Sequence, residues 1–569
     1  MRGAASSAAG AGSPWWTGRR IALAAVAAAV VGAVSFIFRF NTLGGALGGF
    51  DNDHFIYLTR TDMLLWGEQP LRDFVDAELR GAWPAMSYLA SAWAQQIGGR
   101  TLLPEAYLCA GALAVASAVV FLLALDFSKQ WVIAALAAAT TVAMVPKLYN
   151  YPKVLGLTAA VFALRLAVAS PSTARLAALA FVTVVVSLFR HDLGLYVGAA
   201  TLVALVLRDP AQWRQLIRHL AIYTGCALLF LLPSLVWIQL YEGIPSYVRN
   251  ALASVAAEQT RTPLTLPTFD FAVPLSEDNL LLTTYWAFWA VPVLAGCVLL
   301  VRLLTSAASP AARLDRALAG GLLTMGVLAN QSFLRANLES RFGDSVAPIV
   351  LLAACSAGVA SVWRSPAIRR TVATLVIVLL TQMLAAAYSF SALALELDTS
   401  GLSDSWGKVE RRYAAVRSEL GALPPTVWSS NVPGAETATM QAAGYVARCT
   451  APDDRLLVTG AIHEIPVLAR RRFAAGQAMF KLSLYTSERD EQRALARLRS
   501  QSVPIILADA RDYGEGFLED YPLLAGHVEK DYRNAGTIDV DDEPGFVVFV
   551  EKDRIPVRED DELRLPCFR

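Results

Sequence analysis

The apolar residues of this chain come in blocks of about 15 to 25, separated by short polar connections. Such blocks are what a hydrocarbon core of roughly 30 Å demands of helices rising about 1.5 Å per residue. Hydropathy places spans at 21–38, 102–125, 131–145, 154–169, 176–189, 193–207, 220–240, 280–304, 317–333, 346–362 and 371–393. Some of the third to sixth are nearer 15 residues than 20, and Arg190-His191-Asp192 interrupts one long apolar stretch. Short, tilted or broken helices explain both features. The first block exceeds a typical signal-peptide core, and Phe36, Phe38, Arg39 and Phe40 stand where a small-residue cleavage site belongs, so it reads as a span.

The polar pattern begins near Asp398 and holds to Arg569. Short apolar runs at 455–459, 504–508 and 546–550 read as buried strands, alternating with helical stretches such as 487–500. The predicted fold is therefore mainly α: a polytopic transmembrane bundle of about eleven spans with a C-terminal α/β domain. Its predicted parts are an N-terminal tail at 1–20, a membrane domain at 21–393 with a first outer loop at 41–101, and a soluble domain at 394–569.

Charge orients the bundle. With the N-terminus inside, the connections on that side carry Arg19, Arg20, Lys129, Arg175, Arg208, Arg214, Arg218, Arg302, Arg313, Arg316, Arg364, Arg369 and Arg370. This satisfies the positive-inside rule, while the opposite connections are longer and hold most of the acids. An odd span count then puts the C-terminal domain on the extracytoplasmic face of a plasma membrane. Composition agrees, with 55% hydrophobic and 17% charged residues and a mean hydropathy of +0.44. A net charge of +1 without a basic patch argues against a nucleic-acid partner. Cys109, Cys226, Cys297 and Cys355 lie in apolar blocks and read as buried thiols; Cys449 and Cys567 fall in the polar region, where export permits a disulfide but the sequence does not show that they meet.

The first outer loop concentrates the candidate chemistry. It holds Phe50-Asp51-Asn52-Asp53-His54-Phe55, then Gly67-Glu68-Gln69-Pro70-Leu71-Arg72-Asp73-Phe74, then an apolar surface segment at 82–97 whose Trp83, Tyr88 and Trp93 suit the headgroup zone. A carboxylate at the mouth of a bundle either activates an acceptor hydroxyl or amine or helps hold a metal. Equally, Asp51 suits the N-cap of a helix beginning near Asp53.

The run Phe50-Asp51-Asn52-Asp53-His54-Phe55-Ile56-Tyr57-Leu58, followed by Gly67-Glu68 and Pro70-Leu71-Arg72-Asp73-Phe74, resembles the first loop of the GT-C glycosyltransferases. That superfamily includes the protein O-mannosyltransferases and the aminoarabinose transferases of lipid A. The resemblance continues through Tyr149-Asn150-Tyr151-Pro152-Lys153 and Phe189-Arg190-His191-Asp192-Leu193-Gly194-Leu195-Tyr196, as in bacterial members, and so covers most of the membrane region. It implies a polyprenyl-phosphate-linked sugar as substrate, an envelope glycan, lipid or protein as acceptor, and Asp51 as catalytic base. Asp53 would assist by electrostatics or by holding a divalent metal. The chain departs from the family pattern at Asn52, where many relatives have Glu. It departs again at Arg335, Asn337, Glu339, Arg341 and Asp344, where relatives often space Arg, Asp and His.

A lipid-phosphate donor needs cations at headgroup depth, because its phosphate leaves with growing charge. Lys147, Lys153, Arg190, His191, Arg335 and Arg341 all map to the outer ends of spans. For any one of them snorkelling is the simpler account. Three ionisable groups at Arg190-His191-Asp192 are harder to explain that way, because they are costly unless paired or facing a cavity. The outer connection at 241–279, with Glu242, Tyr247, Arg249 and Glu258, reads either as a lid or as a surface connection. The C-terminal domain shows no nucleotide-binding glycine loop, and its His463-Glu464 pair reads as structural, leaving an acceptor-binding or stabilising role. Competing readings are a transporter or flippase, which predicts internal repeats and polar residues at mid-bilayer depth, and an oligosaccharide ligase or scaffold on a similar fold.

Overall fold

The computed structural model describes residues 17–43, 49–50, 52–75, 85–144, 147–208, 212–261, 264, 266–305, 309–334, 338–390, 393–423, 435–480, 485–511, 513–540 and 543–569. The helices of the first two-thirds are α1 (Gly18–Asn41), α2 (Asn52–Leu65), α3 (Ala85–Gly98), α4 (Leu102–Ser128), α5 (Trp131–Ala143), α6 (Tyr151–Ala169) and α7 (Thr173–Phe189). They continue with α8 (His191–Arg208), α9 (Trp213–Tyr241), α10 (Ile244–Arg261), α11 (Glu277–Thr305), α12 (Pro310–Ala329), α13 (Leu338–Ser361) and α14 (Pro366–Phe390). Among the described residues, nine helices are long and apolar enough to cross a membrane, and α5 and α7 are shorter apolar helices. Together they match the eleven predicted blocks one for one, and the chain is a multi-pass membrane protein.

Helix α13 is the axis of the bundle. It is buried along almost its whole membrane length and packs against α4, α5, α6, α11, α12 and α14. Its small residues permit this: Ala347, Ala353, Ala354, Ala357 and Ala360 are all buried, and a Cβ on Gly358 would fall 2.0 Å from the Phe127 carbonyl oxygen of α4. Helices α1 and α9 lie at the periphery. On α1 the side chains of Ile21, Val26, Val30 and Val34 are exposed, as lipid-facing positions should be, while Ser35 Oγ meets Ser117 Oγ of α4 at 3.1 Å. The 13 residues of α5 span only about 20 Å, less than the hydrocarbon core. The helix packs against α4, α13 and α14, with Ile133, Ala134, Ala137 and Ala138 buried, while Trp131 and Val132 stay exposed, so protein covers one face of this short span.

The surface segment predicted in the first outer loop is α3, and its Leu89, Trp93 and Ile97 recur every fourth residue on one exposed face. Tyr88 does not join them. It is fully buried, 6.0 Å from the ring of Tyr57, because in a helix it lies about a quarter turn from Leu89. Trp83 lies outside the described residues. The connection at 241–279 is half helix, since α10 occupies Ile244–Arg261 and tucks Tyr247 into a buried position.

Two helices lead out of the membrane domain, α15 (Leu393–Ser400) and α16 (Trp406–Gly421), and they fold back onto the end of α1. Asn41 Nδ2 donates to the carbonyls of Ser400 and Val409, Arg412 donates to those of Asn41 and Leu43, and Tyr107 and Tyr413 share a hydrogen bond of 2.8 Å. The domain that follows contains α17 (Ala435–Cys449), β1 (Arg455–Val458), α18 (Glu464–Ala469), β2 (Arg472–Phe473), α19 (Glu488–Arg499), β3 (Ile505–Asp509), α20 (Pro522–Asp531), β4 (Tyr532–Val540) and β5 (Glu543–Glu551). Its sheet runs β2-β1-β3-β5-β4, with β1 parallel to β2 and β3, and β5 antiparallel to β3 and β4. Every residue of β3 is buried, as expected of a central strand covered on both faces. The three predicted strands are β1, β3 and β5, and the predicted helix is α19, whose Ser487 caps its N-terminus. Cys449 and Cys567 form a disulfide that ties the end of α17 to the end of the chain.

The α4–α13 crossing makes a direct test. Gly358→Ala forces a methyl group onto a backbone carbonyl and is expected to destabilise the bundle by about 1–3 kcal/mol. Thermal unfolding in detergent should show a lower midpoint for it, while Gly111→Ala, where a Cβ meets nothing within 4 Å, should match the parent.

Candidate active site

The first turn of α2 presents Asp53 at the mouth of the bundle. Its Oδ2 accepts from Lys147 Nζ at 3.0 Å and from the Tyr149 hydroxyl at 2.7 Å, and its side chain stays half-exposed. Burial alone would push this carboxyl up. The Lys147 ammonium and the Tyr149 hydroxyl outweigh it, and the group sits below the usual carboxylate range. Asp53 is thus held as the anion. Among the described residues no imidazole, thiol or second carboxylate shares a ligand cluster with it, and Lys147 already supplies its counter-charge, so these residues do not fit a metal centred on Asp53.

The α2 helix carries Tyr57 one turn beyond Asp53, on the same face. Its ring stacks on Tyr149 at 5.4 Å, and it lies in the electrostatic field of Arg190. Around it converge the outer ends of α6, α8 and α13. Lys153 pairs with Asp344, both more than nine-tenths buried, and Arg190 holds Asp192 through two hydrogen bonds of 3.0 and 2.6 Å. Arg341 lies in electrostatic range of Lys153 as well. The predicted cations Lys147, Lys153 and Arg190 therefore do gather at one end of the bundle. They are not bare, however, and each already holds a carboxylate. For Lys153 and Asp344 burial enforces this, since an unpaired charge inside the bundle is costly. Capacity remains, because Lys153 has further N–H donors, and among the described residues Arg341 Nε and Asp344 Oδ1 are buried without partners.

The remaining predicted residues divide. His191 is fixed by the Ser187 carbonyl at 3.0 Å and the Tyr247 hydroxyl at 2.5 Å, so it ties α8 to α10. Tyr151 is buried against Phe189, with ring centroids 6.0 Å apart. His54 turns inward from Asp53 and meets Glu105 of α4 at 3.0 Å. Arg72 and Asp73 pair with each other, and Asp73 also accepts from the Gln69 N–H. Glu339 is exposed on the first turn of α13. Asp51 and Arg335 lie outside the described residues.

The C-terminal domain reaches this site through the first outer loop. Val75 N–H donates to the Gly476 carbonyl, Arg493 and Arg497 donate to the carbonyls of Leu71 and Arg72, and Glu68 pairs with Arg455 and Arg472. Helix α18 packs on α2 and seats His463, buried at its N-terminus, in the fields of Arg60 and Asp53. Burial pushes this imidazole down to about 3, with the Arg60 guanidinium adding to the effect and Asp53 opposing it. It is neutral at physiological pH. Sequence reading missed Tyr57, Asp344 and the placement of His463. The Asp53–Tyr57 spacing carries a helical signal, but nothing local signals pairs formed across more than a hundred residues.

No family model matches the chain, and no curated protein matches it in sequence. Among solved structures it is similar to ArnT from Cupriavidus metallidurans, a crystal structure bound to undecaprenyl phosphate, at 15% identity and a TM-score of 0.46, over 94% of this chain and 98% of that one. The functional reading below rests on the geometry.

The buried pair gives a prediction about stability. Lys153→Met strands Asp344 and is expected to cost about 3–5 kcal/mol, whereas Lys153→Met combined with Asp344→Leu should recover most of that loss. Thermal melts of the purified single and double variants in detergent check both outcomes.

Proposed function

We propose that this chain is a membrane glycosyltransferase that takes a sugar from a polyprenyl phosphate and transfers it to a cell-envelope acceptor on the extracytoplasmic face. The observation that carries this reading is the meeting, at one end of a membrane bundle, of a half-exposed anionic carboxylate with a net positive set of ionised groups, of which Lys153 and Asp344 are buried. Lys147, Lys153, Arg190 and Arg341 stand there with Asp53, Asp192 and Asp344.

The chemistry divides accordingly. An acceptor hydroxyl or amine loses its proton to a carboxylate and attacks the anomeric carbon, while the bond from that carbon to the phosphate oxygen breaks and the polyprenyl phosphate departs with the bonding pair. A carboxylate held below the ordinary range is a weak proton acceptor, so Asp53 suits orientation of the acceptor and stabilisation of positive charge growing on the sugar. Asp51, two residues before it, is the base in this reading. Lys153, Arg190 and Arg341 take the leaving phosphate, with Arg offering a planar fork of donors that fits it. Tyr57 and Tyr149, stacked on each other beside Asp53, supply aromatic surface for the sugar in this reading. The gathering of ionised groups at one end, rather than at mid-bilayer depth between repeats, favours this reading over a transporter.

Transfer from labelled polyprenyl-phosphate sugars to candidate acceptors tests the proposal. Asp51→Asn should lower kcat by about 10²- to 10⁴-fold, and full transfer by that variant would remove Asp51 as base. Absence of transfer with every donor would favour a noncatalytic reading. The pH profile adds a check on Asp53. Both carboxylates must be ionised, so the acid limb of wild-type kcat/KM contains a step for the depressed Asp53 value; Lys147→Met removes a contribution that lowers it and should move that step toward higher pH.

A further inference from the structure

Adjacent positions on a helix diverge by about a quarter turn, so His54 leaves the face that carries Asp53 and enters the protein between α2, α3 and α4. There it joins two groups of α4 on the same helical face, Glu105 and Cys109, four residues apart. All three are buried. Glu105 Oε1 is crowded: His54 Nε2 lies 3.0 Å away, the Ser91 hydroxyl donates to it at 2.9 Å, and the Cys109 thiol donates at 3.5 Å. Its other oxygen is bare. Among the described residues no donor reaches Glu105 Oε2, in a residue only 2% exposed, and the Tyr151 hydroxyl is likewise buried without a partner while lying in the field of Glu105 and Cys109. A buried carboxylate oxygen without a partner calls for an ion or a water to fill its place.

We propose that His54, Glu105 and Cys109 form a binding site for a borderline-soft divalent cation of the zinc class, which pins the Asp53-bearing turn of α2 to α4. The donor set is an imidazole nitrogen, a carboxylate oxygen and a thiolate sulfur, the combination such ions take, and the thiolate selects against magnesium and calcium. The ligand atoms already lie within 4.8 Å of one another. Zinc bonds of about 2.0–2.3 Å in tetrahedral array need ligand separations of roughly 3.3–3.8 Å, so only small side-chain adjustments are required. Charge balances too. Neutral His54 with anionic Glu105 and Cys109 offsets a divalent ion, and the thiol proton passes to solvent as the metal binds. A fourth position falls to water or to the Tyr151 hydroxyl. Its ligands are distinct from Asp53, Lys147 and Tyr149, though the His54 ring meets that of Tyr149 edge-on at 6.0 Å, and its metal content does not depend on the glycosyl-transfer reading.

The test uses the full chain, purified in detergent without chelators or a metal-affinity tag, and measures bound metal by inductively coupled plasma mass spectrometry. Wild type should carry about one equivalent of a transition metal; Cys109→Ala and Glu105→Gln should each lose it by tenfold or more. Wild type reconstituted with cobalt(II) should gain a thiolate-to-cobalt charge-transfer band in the near ultraviolet that Cys109→Ala lacks. Should a variant fail to fold, the wild-type cobalt spectrum decides alone. Folded wild type without metal that develops no such band overturns the proposal and leaves a plain His54–Glu105 pair. Full metal retention by a folded Cys109→Ala also overturns it.

Discussion

One end of this bundle is governed by one constraint: a charge carried into a mainly apolar protein must meet an opposite charge there. Four ionic or potentially ionic pairs obey it, Lys147–Asp53, Lys153–Asp344, Arg190–Asp192 and His54–Glu105. Three of them join separate elements. Lys153–Asp344 locks α6 to the central helix α13, His54–Glu105 locks α2 to α4, and Lys147–Asp53 closes the segment before α6 over the start of α2. The pairs that make buried charge tolerable therefore also fix the position of the helix that bears Asp53. A site built this way is preorganised, since the groups that would stabilise charge during a reaction are already held in place by partners.

The second determinant is the embrace between the first outer loop and the C-terminal domain. The segment from Glu68 to Val75 contributes backbone carbonyls, one backbone N–H and a carboxylate to partners on β1, β2, α19 and the Gly476 turn. Helix α18 then presses His463 against α2. A buried imidazole kept neutral adds no competing charge beside Asp53, and α18 packs directly on α2. The C-terminal domain is thereby part of the wall of the candidate site.

Much of this was legible in the residues because the bilayer is a strict reader. The eleven apolar blocks each became a helix, down to the short α5 and α7, since backbone polar groups in hydrocarbon leave no alternative. The strands around Leu457, Ile506 and Val548 were legible for a similar reason, as short apolar runs in a polar region have to be buried. Individual side-chain directions were less so. Tyr88 reads as an interfacial aromatic and instead fills the space beside Tyr57; His463 reads as structural, but nothing local places it against α2.

What the sequence determined by itself is the membrane embedding, the polar C-terminal domain and the concentration of Asp53, Lys153 and Arg190 at the ends of helices. Period, length and charge bias are local properties, and they suffice for that. What only the tertiary structure decided is who pairs with whom: that Lys153 faces Asp344 across 191 positions, that Asp53 takes Lys147 and Tyr149, that His54 finds Glu105 and Cys109, and that Cys449 meets Cys567. Those contacts depend on which helix faces pack together, and the small residues of α13 settle that by setting how closely its neighbours approach.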